Sequence, residues 1–461
     1  MTKRIASTLA LAAALLAACG PTTRTATRRP ATESGPPTTL AAAAWTPQSS
    51  ATEIGRWARE GCRRAREGRQ PCIERALVSL IDPAGIGKAM EVLDTLVTAD
   101  PDVRANAHAL AHGLGIAAYR SPETVAKTFA DCPPTLMSGC YHGVVQGYFL
   151  ALQREGKEVG KAELDALCTP HKAVSFLYFQ CAHGVGHGLM AVHENHVPMS
   201  LQACDQATDD FVRESCYGGV FMENIVNFTH PHHTAAGHAG TQGHDAHGAQ
   251  PKADDHAAHD SAGGAHQHGN EHAGHGAQAM RHEPFKALDP ADPLYPCTVV
   301  DEKYRPSCYT MQTSAMLFFN RGDIAATARG CEKAPEAYLG ACYASLGRDI
   351  TAYASQRHDR SIQMCSTAAG LAGGRAQVWC LNGVVQNLIN VAADAGEGIR
   401  FCRALSAAEH KRECYRVVGE TITTLENAPA ARASRCAPAE PEYVAFCRRG
   451  AGLQESAGME E

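Results

Sequence analysis

The chain is poor in aromatic residues: Phe, Trp and Tyr make up 6% of 461 positions. A core built from it must rest on small and aliphatic side chains, because the residues that bury most apolar area are few. It also lacks a surplus of positive charge. Lys and Arg number 42 against 48 Asp and Glu, a net of −6 with His neutral, and no segment forms a basic stripe. Tight binding to a phosphate backbone needs such a stripe, so the composition excludes nucleic acid as a partner. Beyond the N-terminal run, no apolar stretch reaches the length of a membrane-spanning helix. Several chemical signatures are missing as well. No C-x-x-C or C-x-x-C-H occurs, which removes the usual marks of zinc ribbons, thioredoxin-like sites and c-type haem. There is no G-x-S-x-G, no Walker A sequence and no H-E-x-x-H, and no catalytic residue is assigned. Gly184-Val185-Gly186-His187-Gly188 is rich in glycine but follows no strand, so it is a poor dinucleotide loop.

What the chain does contain is an ordinary globular share of apolar (44%) and charged (20%) residues, together with 19 cysteines and 23 histidines. Setting Cys19 aside leaves an even number of cysteines, and these fall into consecutive pairs: Cys62 with Cys72, Cys132 with Cys140, Cys168 with Cys181, Cys204 with Cys216, Cys297 with Cys308, Cys331 with Cys342, Cys365 with Cys380, Cys402 with Cys414, and Cys436 with Cys447. The first members advance by 34 to 37 residues, apart from a long jump between 204 and 297 and a double step between 62 and 132. That double step leaves room for one unit without cysteine, so about ten units are expected. A period of this size is that of two-helix repeats.

Local chemistry agrees. Phe401 to Leu405 closes a short helix, Ser406 and Glu409 form a capping-box pattern for the next, and Cys414 lies two turns further on. Pro170, Pro306, Pro335 and Pro441 mark the same turn in other units, where a missing N–H costs nothing. Each pair therefore links the end of one helix to the early part of the next, as a structural disulfide; crossed pairing satisfies the same count. The spacing resembles tetratricopeptide and Sel1-like arrays in period, without their residue consensus. The expected fold is an all-α solenoid of about ten disulfide-stapled helical hairpins.

The N-terminus is an address. Lys3 and Arg4 precede the apolar run Leu9 to Leu16, which is too short for a span and reads as a secretory signal over residues 1–18. It ends in Leu16-Ala17-Ala18-Cys19, which resembles the lipobox of bacterial lipoproteins. The resemblance implies export, lipidation of Cys19 and a membrane anchor. The absence of an acidic residue after Cys19 implies the outer membrane where a cell has two. Residues 19–50 are rich in Thr, Pro, Ala and Ser and read as a disordered tether. Helical repeats are expected over 51–228 and 284–450, with a disordered tail at 451–461.

Between them, 229–283 breaks the pattern. Thirteen of the 23 histidines lie here, among them His230, His232, His233, His266, His268, His272 and His275. Gly, Ala, Asp and Gln fill the remainder, so the segment is expected to be a disordered loop. Neutral imidazoles bind zinc, copper and nickel. The alternatives are a low-complexity spacer with incidental metal affinity, or a loop that becomes cationic below about pH 6.

A second histidine group sits in the repeats. His112, His142 and His183 occupy one repeat position in three successive units, each followed by glycine, and later units carry Thr310, Ser345, Gly383 and Val417 near it. His108 with His112, and His183 with His187, stand four residues apart and share a helix face. Gln146 and Glu223 come from neighbouring units, and His193-Glu194-Asn195-His196 lies at or past the end of the His183 helix. Neighbouring helices lie about 8–10 Å apart, so His108, His112, His142, His183, His187 and Glu223 can converge on one divalent ion. Packing explains the pattern too: histidine can bond a neighbouring turn while Gly113, Gly143 and Gly184 admit close helix contact. A purely structural consensus would, however, run through the whole array. Three functions follow as expectations. The first is a cell-envelope lipoprotein that acts as a binding scaffold for protein or peptide and holds zinc, copper or nickel through its loop. The second is a metalloenzyme centred on the ordered histidines, and the third a metal buffer or chaperone.

Overall fold

The computed structural model describes residues 45–229, 285–370 and 373–453. Among them there are helices and turns and no strand. The helices form ten consecutive units. The first five pair an outer with an inner helix: Ala51–Gly61 with Arg69–Val78, Ile86–Ala99 with Ala107–Ala118, Val125–Ala130 with Gly139–Arg154, Lys161–Leu167 with Ser175–Val192, and Val197–Cys204 with Asp210–Thr229. The last four pair Ile324–Cys331 with Glu336–Tyr353, His358–Ala369 with Gly374–Ala392, Ala395–Ala404 with Ala408–Leu425, and Pro429–Cys436 with Val444–Gly450. The sixth unit departs from the expected hairpin. Turns between 290 and 299 replace its outer helix, and its inner helix is split into Arg305–Tyr309 and Thr313–Phe319. Pro290, Pro293 and Pro296 account for the first change: each removes a donor and disfavours helical geometry in the residue before it.

All nine expected cysteine pairs are disulfides, each within its own unit, with sequence separations of 8 to 15. Each such link stabilises by roughly 3 kcal/mol in the chain-entropy model. The cysteines are themselves core residues, buried alongside Phe129, Phe149, Phe221, Tyr309, Tyr343, Phe401 and Tyr415. Side-chain caps set several helix starts: Ser50 and Glu53 form a capping box, and Asp323 accepts from the Ala326 N–H at 2.9 Å. The cap expected at Ser406 is not formed. Ala407 occupies the N-cap of the Ala408–Leu425 helix and offers no side-chain bond. Two inner helices end alike, with left-handed residues and a hydrogen bond reaching back five residues. Asn195 N–H donates to Met190 O and Gln356 N–H to Thr351 O, both at 2.8 Å, which satisfies otherwise orphaned carbonyls.

Successive inner helices run parallel. A Cβ added at Gly139, Gly143 or Gly147 would meet the carbonyl oxygens of His108, His112 and Ile116 in turn, so this glycine row lies directly on the preceding helix. The Cβ at Gly143 would overlap the His112 oxygen. The same tight contact joins Gly186 and Gly219, Gly347 and Gly383, and Gly419 and Gly450, each against backbone of the partner helix. Only glycine permits this approach. The array also returns on itself. Residues Leu136–Ser138 of the third unit pack on the Gly374–Ala392 helix of the eighth, and the Ser175–Val192 helix of the fourth packs on Ala408–Leu425 of the ninth. Asn427 seals the second contact by donating to Lys172 O at 3.2 Å and Ala173 O at 3.0 Å, and it also bonds Ser175. These contacts are a return after five units, as in a tight superhelix.

Candidate metal centre

The inner helices of units two to five bring the ordered histidines together. On the Gly139–Arg154 helix, Gly143 and Gly147 meet the preceding helix, while Val145 and Phe149 meet glycines of the following one. His142 and Gln146 fall on the arc between these two faces, one turn apart. His183 and His187 repeat this on Ser175–Val192, and His108 and His112 on Ala107–Ala118. Because the superhelix closes on itself, this arc is buried: His112, His142, His183, His187 and Glu223 are at most 5% exposed, and only His108 is half-buried.

The rings form one contiguous group. His142 and His187 stack with centroids 4.6 Å apart, His112 lies 5.3 Å from His187, His183 lies 5.0 Å from His142, and His108 lies 5.9 Å from both His112 and His142. His112, His142 and His187 each place a ligand atom within 4.8 Å of the other two. The neighbours determine which nitrogen points inward. His187 Nδ1–H donates to Glu223 Oε2 at 2.5 Å, which leaves Nε2 as a lone pair without a partner. His142 Nε2–H donates to Gln180 Oε1 at 3.2 Å, which leaves Nδ1 likewise. His108 Nδ1–H donates to Leu136 O at 3.1 Å. That carbonyl belongs to three consecutive residues with positive φ, Leu136, Met137 and Ser138 (54°, 55° and 63°). Such strain gathers where function over-determines a backbone.

Electrostatics keep the rings neutral. Burial pushes His187 down to about 3, helped by His108. Burial and the neighbouring rings hold His142 well below its usual range. Burial and His187 do the same for His183, and the charge of Arg348 from the seventh unit adds to it. Burial lowers His108, against the Leu136 carbonyl and the Glu223 charge. Buried neutral imidazoles with tautomers set by a carboxylate, an amide and a carbonyl are what metal ligation requires. This group could hold a metal ion.

Every member expected from the sequence therefore lies in or against the cluster, with different parts. His112, His142 and His187 are the convergent donors. Glu223 is placed behind His187, and His108 and His183 flank the group. Gln180 was not expected. Gln180 directly precedes Cys181 on the His183 helix, and in sequence it is indistinguishable from a surface glutamine. His193 and His196 stand apart in the turn after Val192, where His193 meets Ser200 and His196 caps Val197–Cys204. The seam continues into later units without histidine. Thr313 meets Ser345 at 2.6 Å and Asp349 at 2.8 Å, and Arg348 bonds Ser314 at 2.6 Å. Cys19 and the histidines at 230, 232, 233, 266, 268, 272 and 275 lie outside the described residues. No described helix is long and apolar enough to cross a membrane. No protein-family model matches the chain, and no curated protein or solved structure is significantly similar to it.

Proposed function

We propose that this protein is a lipid-anchored, metal-binding helical-repeat protein of the cell envelope. It holds one divalent transition ion, of the zinc, copper or nickel class, on His112, His142 and His187. The observation that carries this reading is the pair of buried, unpartnered ring nitrogens, His142 Nδ1 and His187 Nε2, each opposite a nitrogen whose proton is already given to Gln180 or Glu223. Leaving such atoms buried without a partner costs about 1–3 kcal/mol each, and an ion removes that cost. Burial of the rings favours holding an ion over presenting one to a macromolecule, so the ordered cluster, not the histidine-rich segment, is the principal site. The segment at 229–283 serves as a capture surface of lower selectivity. Export and anchoring are supported by Leu16-Ala17-Ala18-Cys19 and by eighteen cysteines suited to an oxidising compartment.

The test is metal content per chain after purification and exchange. The variant lacking 229–283 is expected to keep close to one ion, and His142→Ala/His187→Ala to lose it. Loss from the deletion variant with retention in the double variant overturns the assignment. For the anchor, Cys19→Ala is expected to move the protein from the membrane to the soluble fraction; unchanged fractionation refutes it.

A further inference from the structure

One polar side chain beside the centre is unexplained by the protein around it. Gln146 is 0% exposed, and both its Oε1 and its Nε2 lack any hydrogen-bond partner. A fully buried primary amide with neither group satisfied is rare, because each unmade bond carries the desolvation cost of its atom. Its placement is specific. Gln146 stands one turn beyond His142 on the same arc of the Gly139–Arg154 helix, between the faces that meet the two neighbouring helices. An apolar residue there would pack without cost.

We propose that the centre is open, with a small exchangeable oxygen ligand, a water molecule, in the position left by His112, His142 and His187, and that Gln146 holds this ligand. The inference rests on the metal reading above. Three protein nitrogens leave a tetrahedral ion one position short. The amide offers one acceptor and one donor, so its partner must both give and receive a hydrogen bond. Water does both; a fourth imidazole or a chloride does not. A position of this kind also accepts small anions. The competing arrangement is a closed site in which His108 or His183 supplies the fourth nitrogen.

The experiment uses the full-length protein loaded with cobalt(II), whose visible absorption reports coordination, and azide as the probe. The wild-type spectrum is expected to change with azide in a saturable way. Gln146→Leu is expected to retain the same cobalt per chain and to bind azide about tenfold more weakly, the loss of one hydrogen bond. A wild-type spectrum indifferent to azide overturns the open position, whether or not the variant folds. Azide binding unchanged in Gln146→Leu overturns the role of Gln146. Failure of the wild type to take up cobalt is a different result, and it removes the metal reading itself.

Discussion

Replacing Glu223 with Gln separates holding a metal from holding the helices together. Glu223 is 2% exposed; Oε2 accepts from His187 Nδ1 at 2.5 Å and Oε1 from Asn227 Nδ2 at 3.0 Å. Glutamine keeps the shape but has one oxygen. That oxygen stays with His187, because Asn227 also donates to Asn195 Oδ1 at 2.7 Å and can do without residue 223. What disappears is the negative charge that makes His187 a stronger ligand. Removing such a carboxylate behind a ligating histidine typically lowers metal affinity 10- to 100-fold, or about 1.4–2.7 kcal/mol. The metal-free protein loses a buried charge at the same time, which relieves desolvation. Glu223→Gln is therefore expected to raise the Kd for zinc 10- to 100-fold in a chelator-competition titration. Thermal unfolding in EDTA should stay within a few degrees of wild type or move upward. An unchanged Kd refutes the tautomer argument. A large fall in metal-free stability would show that Glu223 is chiefly a packing residue.

Gly143→Ala places a methyl group against the His112 carbonyl, with little room for backbone to yield; it is expected to destabilise by about 3 kcal/mol or more in urea unfolding. Gly374→Ala meets nothing and should be neutral or stabilising by up to about 1 kcal/mol; equal effects at the two sites would refute the close-packing argument. In EDTA, stability should be full above about pH 6.5, where unfolded histidines are neutral, and fall as pH drops toward the depressed folded values, about 3 for His187. The unfolded chain takes up protons that the buried rings refuse, so a urea midpoint flat from pH 8 to pH 4 contradicts the burial assigned to the cluster. Cys402→Ser/Cys414→Ser opens a link spanning 12 residues and should cost roughly 3 kcal/mol while leaving the other eight disulfides intact by peptide mapping; loss of any of these refutes local pairing.

The cysteine period was enough to foretell an all-helical array of ten units with local disulfides. Spacing along the chain decides which thiols meet when each bridge closes a loop of 8 to 15 residues, and the helix–turn–helix period governs the rest. The recurrence of His112, His142 and His183 at one repeat position pointed toward a shared cluster, but the three that converge are His112, His142 and His187, the last one turn beyond His183 on the same helix. Two local features depart from the repeat pattern: Pro290, Pro293 and Pro296 replace the outer helix of unit six with turns, and Ala407 rather than Ser406 takes the N-cap of the Ala408–Leu425 helix. Other features were beyond any reading of the chain alone. The return of units eight and nine onto units three and four, with Asn427 reaching residues some 250 positions away, has no signal in the local sequence. Burial turns an amphipathic row of histidines into neutral imidazoles that could hold a metal ion. The proton positions come from Gln180, Leu136 and Glu223, three residues from three different units. A site assembled from atoms so distant in sequence has no local period, so only the folded chain could show which ring nitrogens converge and that the Gln146 amide is buried without a partner.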